Sequence, residues 1–117
     1  MDVCGIGFVG SHTPASREMS HFLREVLGLT PITVDGVGAE LFAAENGDVF
    51  GVARPYDGDV AERSVGFLVR DLDGAVAELH AAGVATDGIT ENARWRYTHF
   101  RAPDGKLYEL AEERVSA

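Results

Sequence analysis

HFRAPDGKLYEL, residues 99–110, reads as a strand, a tight reversal and a second strand. Pro103 presets the first turn position, and Asp104 and Gly105 supply the turn chemistry. Beyond the turn, alternation puts Leu107 and Glu109 on one face and Tyr108 and Leu110 on the other. A carboxylate inside an otherwise apolar strand has to be paired, solvated or functional.

Upstream, Arg94 to Arg101 continues the first of these strands, and Ile89 to Asn92 is a short one. Ser64 to Arg70 alternates through Val65, Phe67 and Val69. Asp71 fits an N-cap for a helix in which Leu72, Val76 and Leu79 share a face, and Gly83 ends it. The same order occurs once before. A glycine-rich strand spans Val3 to Gly10, and Thr13-Pro14 fits a cap with proline in the first turn. Met19, Phe22, Leu23 and Val26 form an apolar stripe ended by Gly28. Leu29 to Val34, Gly38 to Ala44 and Val49 to Arg54 then read as strands, with Asp35-Gly36 and Asn46-Gly47 as turns. The polar segment from Pro55 to Arg63 is the linker.

The fold class is therefore α+β: tandem βαβββ modules, residues 1–56 and 63–113, forming a curved mixed sheet with a concave ligand cup. At 117 residues the chain is one domain. A formal net charge of −9 argues against nucleic acid or an anionic membrane as partner and suits a neutral or cationic small ligand. Cys4 is the only cysteine, so neither an intrachain disulfide nor a zinc-finger framework can form. No stretch reaches the length of a membrane-spanning helix, and the first residues lack the pattern of a signal peptide. A cytoplasmic location is the expectation.

Three segments together carry a family resemblance: HFLREVLGL at 21–29, VGFLVRDLDGAVAELHAAGV at 65–84, and FRAPDGKLYEL at 100–110. With them the chain resembles the vicinal oxygen chelate superfamily, which includes glyoxalases, bleomycin-resistance proteins and dioxygenases. Enzymes of that superfamily hold a divalent metal in the cup, with ligands from the first strand of each half and from the last strand. The resemblance maps these positions to the neighbourhood of Gly5, to Ser64 and to Glu109. Only Glu109 is a usual ligand, and one carboxylate does not hold a catalytic metal. No metal and no other cofactor is expected.

Among the imidazoles, His12 is expected in a solvated loop, His21 flanking the core or facing solvent, and His80 exposed. His99 shares a strand face with Trp95 and Tyr97 at period two, which makes it the histidine of the cup. That aromatic row reads equally as core, as dimer interface or as a platform for a planar ligand. Phe50, Arg54 and Tyr56 are candidates for the wall or rim. Glu109 reads as a paired structural carboxylate, a counter-ion for a cationic ligand or a general base. Cys4 is expected as a small buried hydrophobe, and Glu112 to Arg114 as a solvated tail.

The ligand-binding set expected from the sequence is thus Trp95, Tyr97, His99, Glu109, Ser64, Phe50, Arg54 and Tyr56. The leading reading is a metal-free binding protein similar to the antibiotic-sequestering branch of the family, taking a small aromatic or cationic ligand. The resemblance implies a homodimer. The alternative is an enzyme of the same superfamily, a lyase, isomerase or dioxygenase, with or without a metal.

Overall fold

The protein is described here by a computed structural model covering residues 1–55 and 62–115. In the first half, β1 (Val3–His12) leads to α1 (Ser16–His21), which widens into a π-helical turn over Phe22–Val26. Then come β2 (Thr30–Ile32), β3 (Glu40–Ala43) and β4 (Val49–Ala53). The second half contains β5 (Glu62–Val69), α2 (Leu72–Ala81), β6 (Thr90–Glu91), β7 (Trp95–Arg101) and β8 (Leu107–Glu113). The described strands form one eight-stranded sheet in the order β2-β3-β4-β1-β5-β8-β7-β6. The first strands of the two halves, β1 and β5, lie antiparallel at its centre. Each runs parallel to the last strand of its own half, β1 to β4 and β5 to β8. The two βαβββ units are therefore joined edge to edge within one chain.

Strand alternation sorts the apolar residues into two layers. On the helix side, Leu23 packs with Phe42 and Val52, joined by Met19, Leu29 and Phe50. Leu72 and Ala75 pack with Val69 and Leu110, joined by Val76, Leu79, Phe67 and Phe100. On the other side, Leu41, Val49, Trp95 and Ala111 form a third cluster with Phe8 against it. The helices thus cover one face of the sheet and leave the concave face to a separate aromatic floor.

Local chemistry explains the helix ends. The Asp71 carboxylate accepts the Gly74 N–H at 3.0 Å, as expected of an N-cap. Gly83 takes φ of +81°, with its N–H donating to the His80 carbonyl and that of Val84 to the Leu79 carbonyl. The first helix differs from its sequence reading. Ala15 occupies the cap position, and the Thr13 hydroxyl instead accepts the Ala15 N–H at 3.1 Å in a local turn before the helix.

Other boundaries move because of pairing across the sheet. β1 runs on past Gly10 because Ser11 and His12 pair with Arg63 and Glu62 on one side and with Val52 and Ala53 on the other. His12 is consequently a strand residue and not part of a solvated loop. Cys4 is exposed, its thiol donating to the Leu68 carbonyl, and does not serve as a core residue. Glu112 is also not in a solvated tail. It lies in β8, accepts the Leu72 N–H at 3.4 Å and meets Arg96 at 2.9 Å. The Asp35-Gly36 turn sits in a longer connection, whose Asp35 carbonyl accepts the Ala93 N–H at 2.8 Å. That bond ties the connection between β2 and β3 to the one before β7 and closes the curl of the sheet.

Gly66 marks the tightest packing at the centre. A Cβ there would overlap the Phe8 ring. Gly66→Ala is expected to destabilise the fold by about 1–3 kcal/mol through overpacking, read as a lower thermal midpoint.

Candidate functional site

The concave face encloses a cavity of about 280 Å³. Its apolar end is the floor made by Phe8, Leu41 and Trp95, with the Phe8 and Trp95 rings 6.4 Å apart. The polar end carries His12, Ser64, His99 and Glu109. Gly36 and Asn92 form part of the wall where the two halves meet. Glycine keeps the cavity open on the central strands. A Cβ on Gly10 would meet the Ser64 hydroxyl at 2.9 Å, and one on Gly51 would meet Leu41 at 3.3 Å.

Glu109 is central to the polar end. β8 carries it into the cavity beside Leu107, and it is only 8% exposed. Its cross-strand partner on β7 is His99, whose Nε2 lies 3.1 Å from Glu109 Oε1. The other ring nitrogen, Nδ1, lies 2.7 Å from Asp87 Oδ2. Asp87 is held in turn: its Oδ1 accepts the His99 N–H at 2.8 Å and the Thr98 hydroxyl at 3.1 Å. One imidazole thus bridges a carboxylate inside the cup and a carboxylate outside it.

The electrostatics follow from this arrangement. The hydrogen bond to Glu109 holds the His99 pKa above its ordinary value, against burial and with further help from Asp87. Burial pushes Glu109 up, and the neighbouring imidazole only partly reverses this. For Asp87, burial raises the carboxyl, but the His99 N–H, the imidazole and the Thr98 hydroxyl outweigh it and leave the pKa lowered. His12 is lowered by burial, against the pull of Glu62. Tyr97 is raised by burial and by the Glu109 and Asp87 charges.

The residues present do not suit a divalent metal. Among the described residues, no three His, Cys, Asp or Glu side chains converge on a common point. Register also corrects the sequence mapping of the first-strand position. Two bulges in the β1–β5 pairing place Gly5 opposite Leu68, while Phe8 lies opposite Gly66, itself paired with Glu109. The group that β1 presents beside Glu109 is therefore an aromatic ring, and the neighbouring positions are Gly10 and Ser64. At these positions apolar carbon, glycine and a hydroxyl do not make a ligand set for such an ion, and His12, His99 and Glu109 do not form a group able to hold one.

Solved structures of the same shape are numerous. A methylmalonyl-CoA epimerase from Mycobacterium tuberculosis superposes with a TM-score of 0.77 at 18% identity, over 97% of this chain and 90% of that one. A 2,3-dioxygenase from Pseudomonas sp. KL28 gives 0.76 at 27% identity, over 97% of this chain and 42% of that one. A hypothetical protein from Bacillus halodurans C-125 gives 0.74 at 14% identity, over 96% of each chain. The fold is that of the vicinal oxygen chelate superfamily. No protein-family model matches the sequence, and no curated protein matches it.

Within this vicinal oxygen chelate cup, five of the residues singled out from sequence meet around one cavity: Trp95, Tyr97, His99, Ser64 and Glu109. Arg96 points the other way, where it pairs with Glu112, Glu91 and Asp73. Two candidates fall outside. Phe50 packs on the helix side with Phe42 and Val52, because alternation along β4 turns Gly51 and Ala53, and not Phe50, into the cup. Arg54 is exposed beyond the end of β4 and does not line the cavity. Tyr56 lies outside the described residues.

His12, Phe8 and Asp87 are residues that sequence reasoning missed. Extending the alternation Phe8, Gly10, His12 past Gly10 would have found the first two. Nothing in the sequence links Asp87 to His99, because Asp87 sits in the segment after α2 and meets β7 only through tertiary packing.

Both members of the buried pair bind their proton more tightly in the fold than in the unfolded chain. His99, raised from 6.5, contributes stability that is fully present below that value and is lost as pH rises through its folded pKa. Glu109, raised from 4.5, has the same sign. The thermal midpoint is expected to fall as pH is raised from about 6 towards 9, and the fall to be shallower in His99→Gln. Calorimetric scans across that range check it, and an equal slope in the variant would contradict it.

Proposed function

We propose that the protein binds a flat, neutral or cationic small molecule in its cup and needs no metal to do so. The observation that carries this reading is the composition of the cavity wall. An aromatic and aliphatic floor faces a buried carboxylate, and no lysine or arginine is among the described lining residues. Flat apolar surface is buried well against Phe8 and Trp95, and a ligand N–H or ammonium group fits Glu109. An anionic ligand would face Glu109 with no fixed cation except a protonated imidazole, and the formal charge of −9 adds to that penalty. The class described overlaps the small, often aromatic antibiotics that the resistance branch of the superfamily sequesters. The alternative, an enzyme of the same superfamily with or without a metal, fits the structural neighbours at least as well; its metal-dependent form has no group of three His, Cys, Asp or Glu among the described residues to hold the ion. The reading includes a homodimer, supported by exposed apolar side chains at Val3, Ile6, Phe22, Val26 and Leu27.

Two measurements test it. The planar cation 9-aminoacridine is expected to bind and quench the fluorescence of Trp95, the only tryptophan, whereas acridine-9-carboxylate is not. Glu109→Gln is expected to weaken the cation about tenfold or more and to leave neutral acridine nearly unchanged. Equal binding of cation and anion would overturn the reading. Light scattering on the eluted protein is expected to give twice the chain mass of 12.5 kDa, and a monomer would remove the dimer from it.

A further inference from the structure

Binding of a ligand donor requires only Glu109, yet three titratable groups stand in a row through the wall of the cup. Glu109 faces the cavity and is 8% exposed. His99, which also lines the cavity, stands beside it at 3.1 Å, and Asp87 stands on the far side of His99 at 2.7 Å with its side chain 56% exposed. The segment carrying Asp87 runs along β7, where its N–H donates to the His99 carbonyl at 3.2 Å. The row therefore starts at a buried carboxylate against an aromatic floor and ends in solvent.

We propose that Asp87, His99 and Glu109 act as one proton-transfer array, and that the cup removes a proton from carbon in flat, neutral aromatic carbon acids without a metal. The proposal rests on the reading of the cup as a small-molecule site. Glu109 is the catalytic residue, since it is the carboxylate of the three that lines the cavity, and it meets His99 through Oε1. His99 and Asp87 are positioning residues. A carboxylate taken out of water is a stronger base towards carbon than a hydrated one, provided a cation beside it keeps it ionised. The imidazolium of His99 supplies that cation, and Asp87 holds the ring in place and charged. Among the described residues, the other titratable groups near the pair are His12 from β1, with Glu62 close to it, and Tyr97 on the same strand. The Tyr97 ring stands edge-on to His99 at 5.5 Å.

The step balances within the array and its substrate. The Glu109 oxygen not facing His99 accepts the proton from carbon, and the electron pair of the C–H bond moves into the substrate. Glu109 is then neutral beside an imidazolium, and His99 sheds its Nδ1 proton through Asp87 to water. The buried pair carries one positive charge until that proton leaves, and its net charge at the end of the step equals that at the start. After product leaves, Glu109 loses its proton to water entering the cup, and His99 regains one through Asp87.

The probe is 5-nitro-1,2-benzisoxazole, a planar neutral carbon acid. Loss of its C3 proton to a base forms the nitrile as the N–O bond breaks, and the coloured nitrophenolate carries away the electron pair. Its binding is read separately through quenching of Trp95. The protein is expected to form phenolate at least about 100-fold faster than the same concentration of acetate, and Glu109→Gln to lose that advantage. Asp87→Asn is expected to keep KM and to lower kcat about tenfold. It should also move the limb of the pH profile that reports ionisation of Glu109 to higher pH, because a less firmly charged His99 stabilises the carboxylate less. Asp87→Glu is expected to restore part of the rate. A merely structural role for Asp87 would not move the pH profile. Quenching without phenolate, or a Glu109→Gln rate equal to that of the unaltered protein, overturns the proposal and leaves the binding reading standing. An unchanged kcat and profile in Asp87→Asn overturns the array. No quenching and no phenolate also overturns the proposal, and the acridine pair then decides the binding reading on its own.

Discussion

The antiparallel pairing of β1 with β5 is the constraint on which the rest of the molecule depends. Each βαβββ unit alone has one sheet face covered by its helix and the other bare. Joining the units through their first strands turns the two bare faces into one concavity. The polar end of the cup exists only because of that seam. Ser64 and Gly10 lie opposite one another across it, as do Glu62 and His12. The Phe8 ring fits at the seam only because position 66 has no side chain.

The seam also decides the chemistry available inside. Its bulges bring an aromatic ring beside the last-strand carboxylate, and glycine and serine occupy the neighbouring positions. The wall is therefore mostly carbon and backbone, with its charge gathered at one carboxylate. In such surroundings an ionised Glu109 is costly unless a cation accompanies it. His99 is that partner, and Asp87 keeps the partner oriented.

The likeness to a methylmalonyl-CoA epimerase and to a 2,3-dioxygenase is one of backbone path. Function lies in the side chains that the path presents. Here these are an apolar floor, a hydroxyl, two histidines and a buried acid.

The sequence by itself determined the two-unit architecture, because helix stripes, alternating strands and turn residues are local properties. Asp71 as a cap, Gly83 as a helix stop and the reversal at Pro103 to Gly105 all depend on neighbours within a few residues. It also determined that Trp95, Tyr97 and His99 share a face, since alternation needs no tertiary knowledge. Tertiary structure alone decided which way that face points. It also settled that Phe50 belongs to the helix side and that β1 continues to His12. The last follows from pairing with β4 and β5, contacts 40 or more residues away in sequence. Asp87 is the clearest case. Its two oxygens are aimed by a strand edge and by His99, and no local pattern encodes a contact that exists only once the segment after α2 lies along β7.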